Sequence, residues 1–358
     1  MSRANVRFSQ HKNVLQSVKS GGGSANTFRG FLAYLDSKAP DWFIWENVDS
    51  VAQSSDEQAS DKPVLASNLD VAIAEFTSRG YESQAYLLDA FDFGLPEVRK
   101  RIYAIGVKMS SDLLTFQQQP VSATFEKIAE HLRLMRRKAT NYWDILLTTD
   151  HAALQRERAW RGQSVSSPWD SGSLDIHRKE YRRLGLRWGA LRLPAMIEAS
   201  LDYSQLPARE KDCLKVTAVR YPEARAIDVS QSISRLPRSK TRDGVVHLET
   251  LLPNSKYYDL VLCRVLCGAE KMRAQGFPTE RFPSLLEQST PQLLHDLAGN
   301  AMAGTVVLAV LTAFLLAAPW TGQKLNQAAT TDEADVQSAI SALGLSCAAA
   351  ADDDADDS

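Results

Sequence analysis

Apolar residues recur at helical spacing over residues 27 to 38, where Phe28, Phe31, Leu32 and Leu35 form one stripe. A short apolar run, Trp42-Phe43-Ile44-Trp45, follows and is closed by polar residues, which predicts a buried strand. Residues 64 to 79 return to the helical period, with Leu69, Ile73 and Phe76 on one face and Gly80 as the stop. Tyr86-Leu87-Leu88 and residues 101 to 107 then read as two further strands. Strand, helix, strand, strand predicts part of an α/β sheet. From residue 260 to 320 the pattern is helical and apolar again.

Residues 301 to 320 carry no charge and are long enough to cross a bilayer. They are rich in Ala, Gly and Thr, follow the turn signal Ala298-Gly299-Asn300 and have no basic flank, so a helix buried in a large core is expected rather than a membrane span. Residues 1 to 30 are polar and Gly-rich, and Gly21-Gly22-Gly23 reads as a linker because no strand precedes it. The end of the chain has one amphipathic stretch, residues 336 to 345, and an acidic low-complexity terminus expected to be disordered.

Composition changes this picture in one place. The 358 residues have a formal net charge of −2, which gives no hint of a nucleic-acid partner. Residues 131 to 192, however, hold 13 Lys or Arg against 6 Asp or Glu, with Trp143, Trp160, Trp169 and Trp188 interleaved. Such a segment is either a phosphate-contacting surface or a solvated helical face. Arg182, Arg183 and Arg187 are its candidate nucleic-acid contacts. The four cysteines, Cys213, Cys263, Cys267 and Cys347, are too few for a disulfide framework and imply a reducing, intracellular setting. Cys263 and Cys267 sit four apart and could share a helix face, but two ligands without a paired histidine make a poor zinc site, so no metal is expected.

Four short constellations carry candidate chemistry. Glu46-Asn47-Val48 follows the first strand, where α/β folds place working groups. Phe93-Gly94-Leu95-Pro96-Glu97-Val98-Arg99-Lys100-Arg101 makes a turn, and period two then places Arg99 and Arg101 on one face. Arg264 through Pro278 includes Glu270 and Gln275-Gly276-Phe277-Pro278, and Gly299-Asn300-Ala301 opens the apolar helix.

In this order the four resemble the sixth, eighth, ninth and tenth motifs of the DNA (cytosine-5) methyltransferases. The resemblance covers residues 1 to 320 in organisation, with close identity only inside the motifs. It implies a partial Rossmann-like sheet of the S-adenosylmethionine-dependent methyltransferases, with an inserted target recognition domain. Residues 1–108 would be the C-terminal part of the catalytic sheet, 109–258 the variable recognition region, 259–322 the return to the catalytic domain, and 323–358 the acidic tail. The family attacks carbon 6 of a flipped-out cytosine with a cysteine thiolate and transfers methyl to carbon 5. By resemblance, Glu46 serves ring nitrogen 3, Arg101 holds the cytosine carbonyl oxygen, Arg99 supports the catalytic loop, and Asn300 belongs to the motif that closes over the cofactor. Glu46 and Arg101 should then reach one ring, within about 10 Å, at the C-terminal rim of a parallel sheet.

Two departures touch the motifs themselves: Glu97 stands where Gln is usual, and Cys267 where Thr is usual. The family's Phe-x-Gly-x-Gly cofactor loop and its Pro-Cys pair have no match here. The sequence therefore reads as N-terminally incomplete and, as given, inactive. Two alternatives remain at this point: a non-catalytic DNA-binding relative, and a tRNA cytosine-5 methyltransferase. The expected partners are DNA or RNA and no membrane, in the nucleus of a eukaryote or the cytoplasm of a prokaryote.

Overall fold

The computed structural model describes residues 23–52, 67–111, 113–116, 120–161 and 171–320. The chain divides into two compact units. The first takes residues up to Phe93, then Lys100–Lys138, then the chain from Val306; the second takes Gly94–Arg99 and Ala139–Thr305. Gly21 and Gly22, Trp169, the amphipathic stretch at 336 to 345 and the acidic tail lie outside the described residues.

The first unit is built on a three-stranded sheet in the order β1 (Trp42–Val48), β4 (Lys100–Lys108), β2 (Tyr81–Asp89). The short β3 (Glu97–Val98) between them in sequence belongs to the second unit. Both β1 and β2 pair with β4 antiparallel, which corrects the expected parallel rim. Phe43, Trp45, Ile102 and Ala104 share one face, and α1 (Gly23–Lys38) and α2 (Asn68–Thr77) supply Phe28, Phe31, Leu32, Ala72 and Phe76 to the same core.

The rings there stand 4.7 Å apart for Phe43 and Phe76 and 5.9 Å for Phe28 and Trp45, in tilted arrangements worth about 0.5–1.5 kcal/mol each beyond their area. Gly106 is required by this cluster, since a Cβ there would overlap the Phe43 ring. Ser67 begins α2 with a capping box: its Oγ accepts from Asp70 N at 3.1 Å, and the Asp70 carboxylate accepts from Ser67 N at 2.8 Å. Gly80, at φ +79°, takes the left-handed turn into β2. The opposite sheet face meets α3 (Val121–Leu134), where Tyr86 donates its hydroxyl to Phe125 O at 2.9 Å.

The second unit holds the helices α4 (Ala152–Arg161), α5 (Ser171–Arg183), α6 (Ala195–Glu198), α7 (Leu201–Gln205), α8 (Ala208–Arg220), α9 (Gly268–Ala274), α10 (Pro283–Gln288) and α11 (Pro291–Asn300). Two small sheets accompany them. In one, β3 runs parallel to β7 (Val245–Glu249), which pairs antiparallel with β6 (Lys240–Arg242). In the other, β5 (Ala226–Asp228), β8 (Tyr257–Asp259) and β9 (Arg264–Val265) are antiparallel. The apolar helix α12 (Gly304–Ala317) buries Val306, Ala309, Val310, Ala313 and Phe314. Among the described residues, no single helix is long and apolar enough to cross a membrane.

Asn300 is the last residue of α11 rather than the opening of α12. Cys263 and Cys267 share no helix: Cys263 sits before β9 with φ 51°, and Cys267 is the N-cap of α9.

Candidate active site

β1 does not stop at Trp45, as its apolar run suggests, but continues through Glu46, Asn47 and Val48. Register then decides which residues meet. Glu46 lies opposite Tyr103 and Val48 opposite Arg101, so Glu46 and Arg101 are diagonal neighbours on one face. Arg101 Nε stands 3.3 Å from Glu46 Oε1, and their side chains are only 12% and 8% exposed. Arg101 also donates from Nη1 to Lys100 O at 2.7 Å. The buried Asn47 alternates to the other face, where its Oδ1 accepts from Val48 N at 2.9 Å. A carboxylate and a guanidinium thus stand side by side, the first able to donate to a ring nitrogen once it carries a proton and the second to a carbonyl oxygen. Tyr103, buried and facing the same way, is a neighbour of this pair that motif reading missed; the alternation of β4 could have found it.

Arg99 does not join that pair. β3 ends at Val98 and β4 begins at Lys100, so the period-two expectation of one shared arginine face fails at the break. Arg99 is instead buried in the second unit, where it donates to Leu251 O at 3.0 Å and Ala301 O at 2.9 Å and lies 3.8 Å from Glu97. Glu97 is fully buried there, accepting from Leu251 N at 2.6 Å and from Gln275 Nε2 at 2.7 Å. The acid that stands where Gln is usual in the eighth motif is therefore wired to the glutamine of the ninth, a link invisible in sequence because 178 residues separate them.

The rest of the motif residues build backbone close to one another. Arg264 forms a buried two-bond pair with Glu270 at 2.8 and 2.6 Å, and Glu270 accepts from Leu147 N and Cys267 N at 2.8 and 2.9 Å. Gly276, at φ +81°, ends α9. Gly299 lets α11 lie against Leu252 and Pro253, since a Cβ would overlap both. Asn300 Nδ2 donates to Asp296 O of its own helix at 2.8 Å.

Over residues 14–315 the chain matches the family model described as C-5 cytosine-specific DNA methylase. The chain belongs to that family. It is 27% identical over 337 residues to the DNA (cytosine-5-)-methyltransferase DMT5 of Cryptococcus neoformans, covering 87% of this chain and 13% of that protein. It is 24% identical over 338 residues to DMT5 of Verticillium dahliae, covering 86% and again 13%. The chain thus spans 13% of the length of these relatives. A shorter match, 34% identity over 86 residues, joins it to the type II methyltransferase M.NlaIV of Neisseria lactamica, covering 24% of this chain and 20% of that one.

The methylase family implies S-adenosylmethionine as methyl donor. Asn300, whose amide is engaged within its own helix, does not by itself make a site for it. The described cysteines all lie in the second unit. Cys213 is fully buried, and burial pushes its thiol up to about 12. Burial likewise raises the Cys263 and Cys267 thiols, so all three stay protonated at neutral pH. Cys347 lies outside the described residues.

In the basic segment, Arg182 and Arg183 close α5, and Arg187 follows; all three are exposed. Arg183 is held by Glu180 at 2.6 Å. Trp188 and Trp143 already lie under Arg178 and Arg225, at 5.9 and 5.8 Å from ring centre to guanidinium.

Proposed function

We propose that this chain carries the cytosine-holding part of a DNA (cytosine-5-)-methyltransferase. The observation behind this is the Glu46–Arg101 pair, 3.3 Å apart on one sheet face and largely shielded from water. In the free protein the two side chains neutralise each other. A cytosine extruded from the duplex takes both: Arg101 donates to the ring carbonyl oxygen, and Glu46, released from the pair and taking up a proton, donates it in a hydrogen bond to ring nitrogen 3. Negative charge that develops on the ring when carbon 6 is attacked is stabilised at those two atoms. Arg99 has no direct part in this. It fixes Leu251 and Ala301, and with Glu97 and Gln275 it holds the eighth and ninth motifs together. Arg182, Arg183 and Arg187 contribute phosphate contacts, and Asn300 supports closure over the methyl donor.

DNA is the substrate we assign, on the family and on the names of the relatives.

The test uses duplexes with a fluorescent cytosine analogue at the target position, which brightens when unstacked. Wild-type chain should raise the signal, and Arg101→Ala should weaken the bound, extruded state about tenfold or more, the scale of a hydrogen bond to a charged group. Glu46→Gln should act in the same direction. Signals unchanged in both variants contradict the assignment. The 358-residue chain alone should also give only background incorporation from labelled S-adenosylmethionine, because none of its described thiols is poised as a nucleophile. Incorporation that survives purification to homogeneity contradicts that.

A further inference from the structure

Glu46 has two states to serve. It is a carboxylate while it faces Arg101 at 3.3 Å, and it must carry a proton to donate to a ring nitrogen. A glutamate in water is ionised at neutral pH. A neighbour that disfavours the charge is therefore needed once Arg101 turns to the base.

Strand register names that neighbour. β1 ends its sheet, so among the described residues its cross-strand neighbours belong to β4. Two of them share the face of Glu46: Arg101 on the diagonal and Tyr103 directly opposite. Directly opposite side chains leave their strands only about 4.5–5.5 Å apart at Cβ. Tyr103 is 1% exposed and lies opposite Tyr86 of β2, so Glu46, Tyr103 and Tyr86 stand abreast across the three strands. Tyr86 donates its hydroxyl to Phe125 O of α3 at 2.9 Å, which anchors the far end of the row.

The other ionisable groups packed on this face lie elsewhere or carry no charge. Burial raises the Tyr86 hydroxyl well above its ordinary value, so it stays neutral. Glu82 of β2 is exposed and opposite Val107, at the Trp42 end of the sheet, four residues along β1 from Glu46. On α3, Glu126, Lys127, Glu130 and Arg133 are exposed, and the buried His131 has its Nδ1 3.5 Å from Ala313 O of α12. α12, whose Phe314 ring lies 4.8 Å from that of Trp42, has no ionisable side chain. In register with Glu46 stand one cation, Arg101, and one ring, Tyr103.

We infer that Tyr103 is a positioning residue for the cytosine step: its ring keeps water from Glu46, so that Glu46 takes up a proton when Arg101 turns to the base. A carboxylate that loses its cation beside an apolar ring has little hydration to replace it, and the protonated acid is favoured. The proton comes from solvent, one for each cytosine held, so affinity falls as pH rises. This inference rests on the Glu46–Arg101 reading.

The experiment titrates the whole chain with a duplex carrying a fluorescent cytosine analogue that keeps ring nitrogen 3 and the carbonyl oxygen, across a series of pH values. Wild-type affinity should fall about tenfold per pH unit above a midpoint, as uptake of one proton requires. Tyr103→Phe, which keeps the ring, should leave the midpoint in place. Tyr103→Thr, which admits water, should lower it by about one pH unit, the ordinary scale of such displacements. Glu46→Gln should remove the pH dependence. A thermal unfolding curve accompanies each variant; where Tyr103→Thr does not fold, Tyr103→Leu should move the midpoint in the same direction by less. A midpoint moved by Tyr103→Phe, or unmoved by the folded Thr or Leu variant, overturns the inference, as does wild-type affinity indifferent to pH; the Glu46–Arg101 reading survives all three. An extruded state indifferent to both Arg101→Ala and Glu46→Gln overturns that reading and this inference together.

Discussion

Glu157 and His295 form a buried pair in the second unit, 2.7 Å apart, and acid should act on it. Burial works to raise the Glu157 carboxyl, but the His295 hydrogen bond and Arg161 override it and hold it at about 2, below its ordinary 4.5. Burial and then Lys271 push His295 down to about 4 from 6.5. Both groups bind protons more weakly folded than unfolded, so both add stability that is lost as pH falls. The His295 share is complete above pH 6.5 and disappears on the way down to about 4; the Glu157 share goes between about 4.5 and 2. Urea unfolding measured from pH 7 to 4 should therefore show falling stability, with a shallower fall in His295→Gln. A profile identical in that variant contradicts the assignment.

Single residues were unevenly legible in the sequence. Glu46 and Arg101 could be named from motif order, because each stands in a short pattern of its own. Their adjacency could not, because register sets it. Arg99 was misread for a physical reason: period two holds only inside a strand, and β4 starts one residue later.

At the scale of elements, α5 carries the candidate DNA surface. Arg182 and Arg187 have no ion pair among the described residues, whereas Arg183 is held by Glu180. Replacing Arg182, Arg183 and Arg187 together by Ala should weaken DNA binding and flatten the plot of log affinity against log salt by about 2, near one released counterion per unpaired arginine. An unchanged slope would make this a solvated helical face. Elements with one wet and one buried side were plain in the sequence, as α1 and α2 illustrate. Sheet direction was not: alternation along β1 and β4 reports which face is apolar, and the antiparallel pairing of Trp42 with Val107 rests on contacts 65 residues apart. The helix near the C-terminus was split differently from the expected pattern, since the turn at Ala301 to Ala303 comes after Asn300 rather than before it.

At the scale of the whole molecule, the chain crosses between its two units at Gly94–Arg99, so the eighth motif is divided between them. Glu97 and Arg99 help to build the second unit while Arg101 faces Glu46 in the first. One short segment thereby ties the Glu46–Arg101 pair in sequence to the scaffold of the ninth and tenth motifs. The central claim is that Glu46 and Arg101 hold one extruded cytosine. It is tested most directly with a duplex whose target cytosine carries ¹⁵N at ring nitrogen 3, observed by NMR with and without the chain. Binding should move that resonance away from its base-paired position, and Glu46→Gln should give a different shift at comparable occupancy. A resonance that stays at its base-paired position under saturating protein, or one indifferent to Glu46→Gln, contradicts the account.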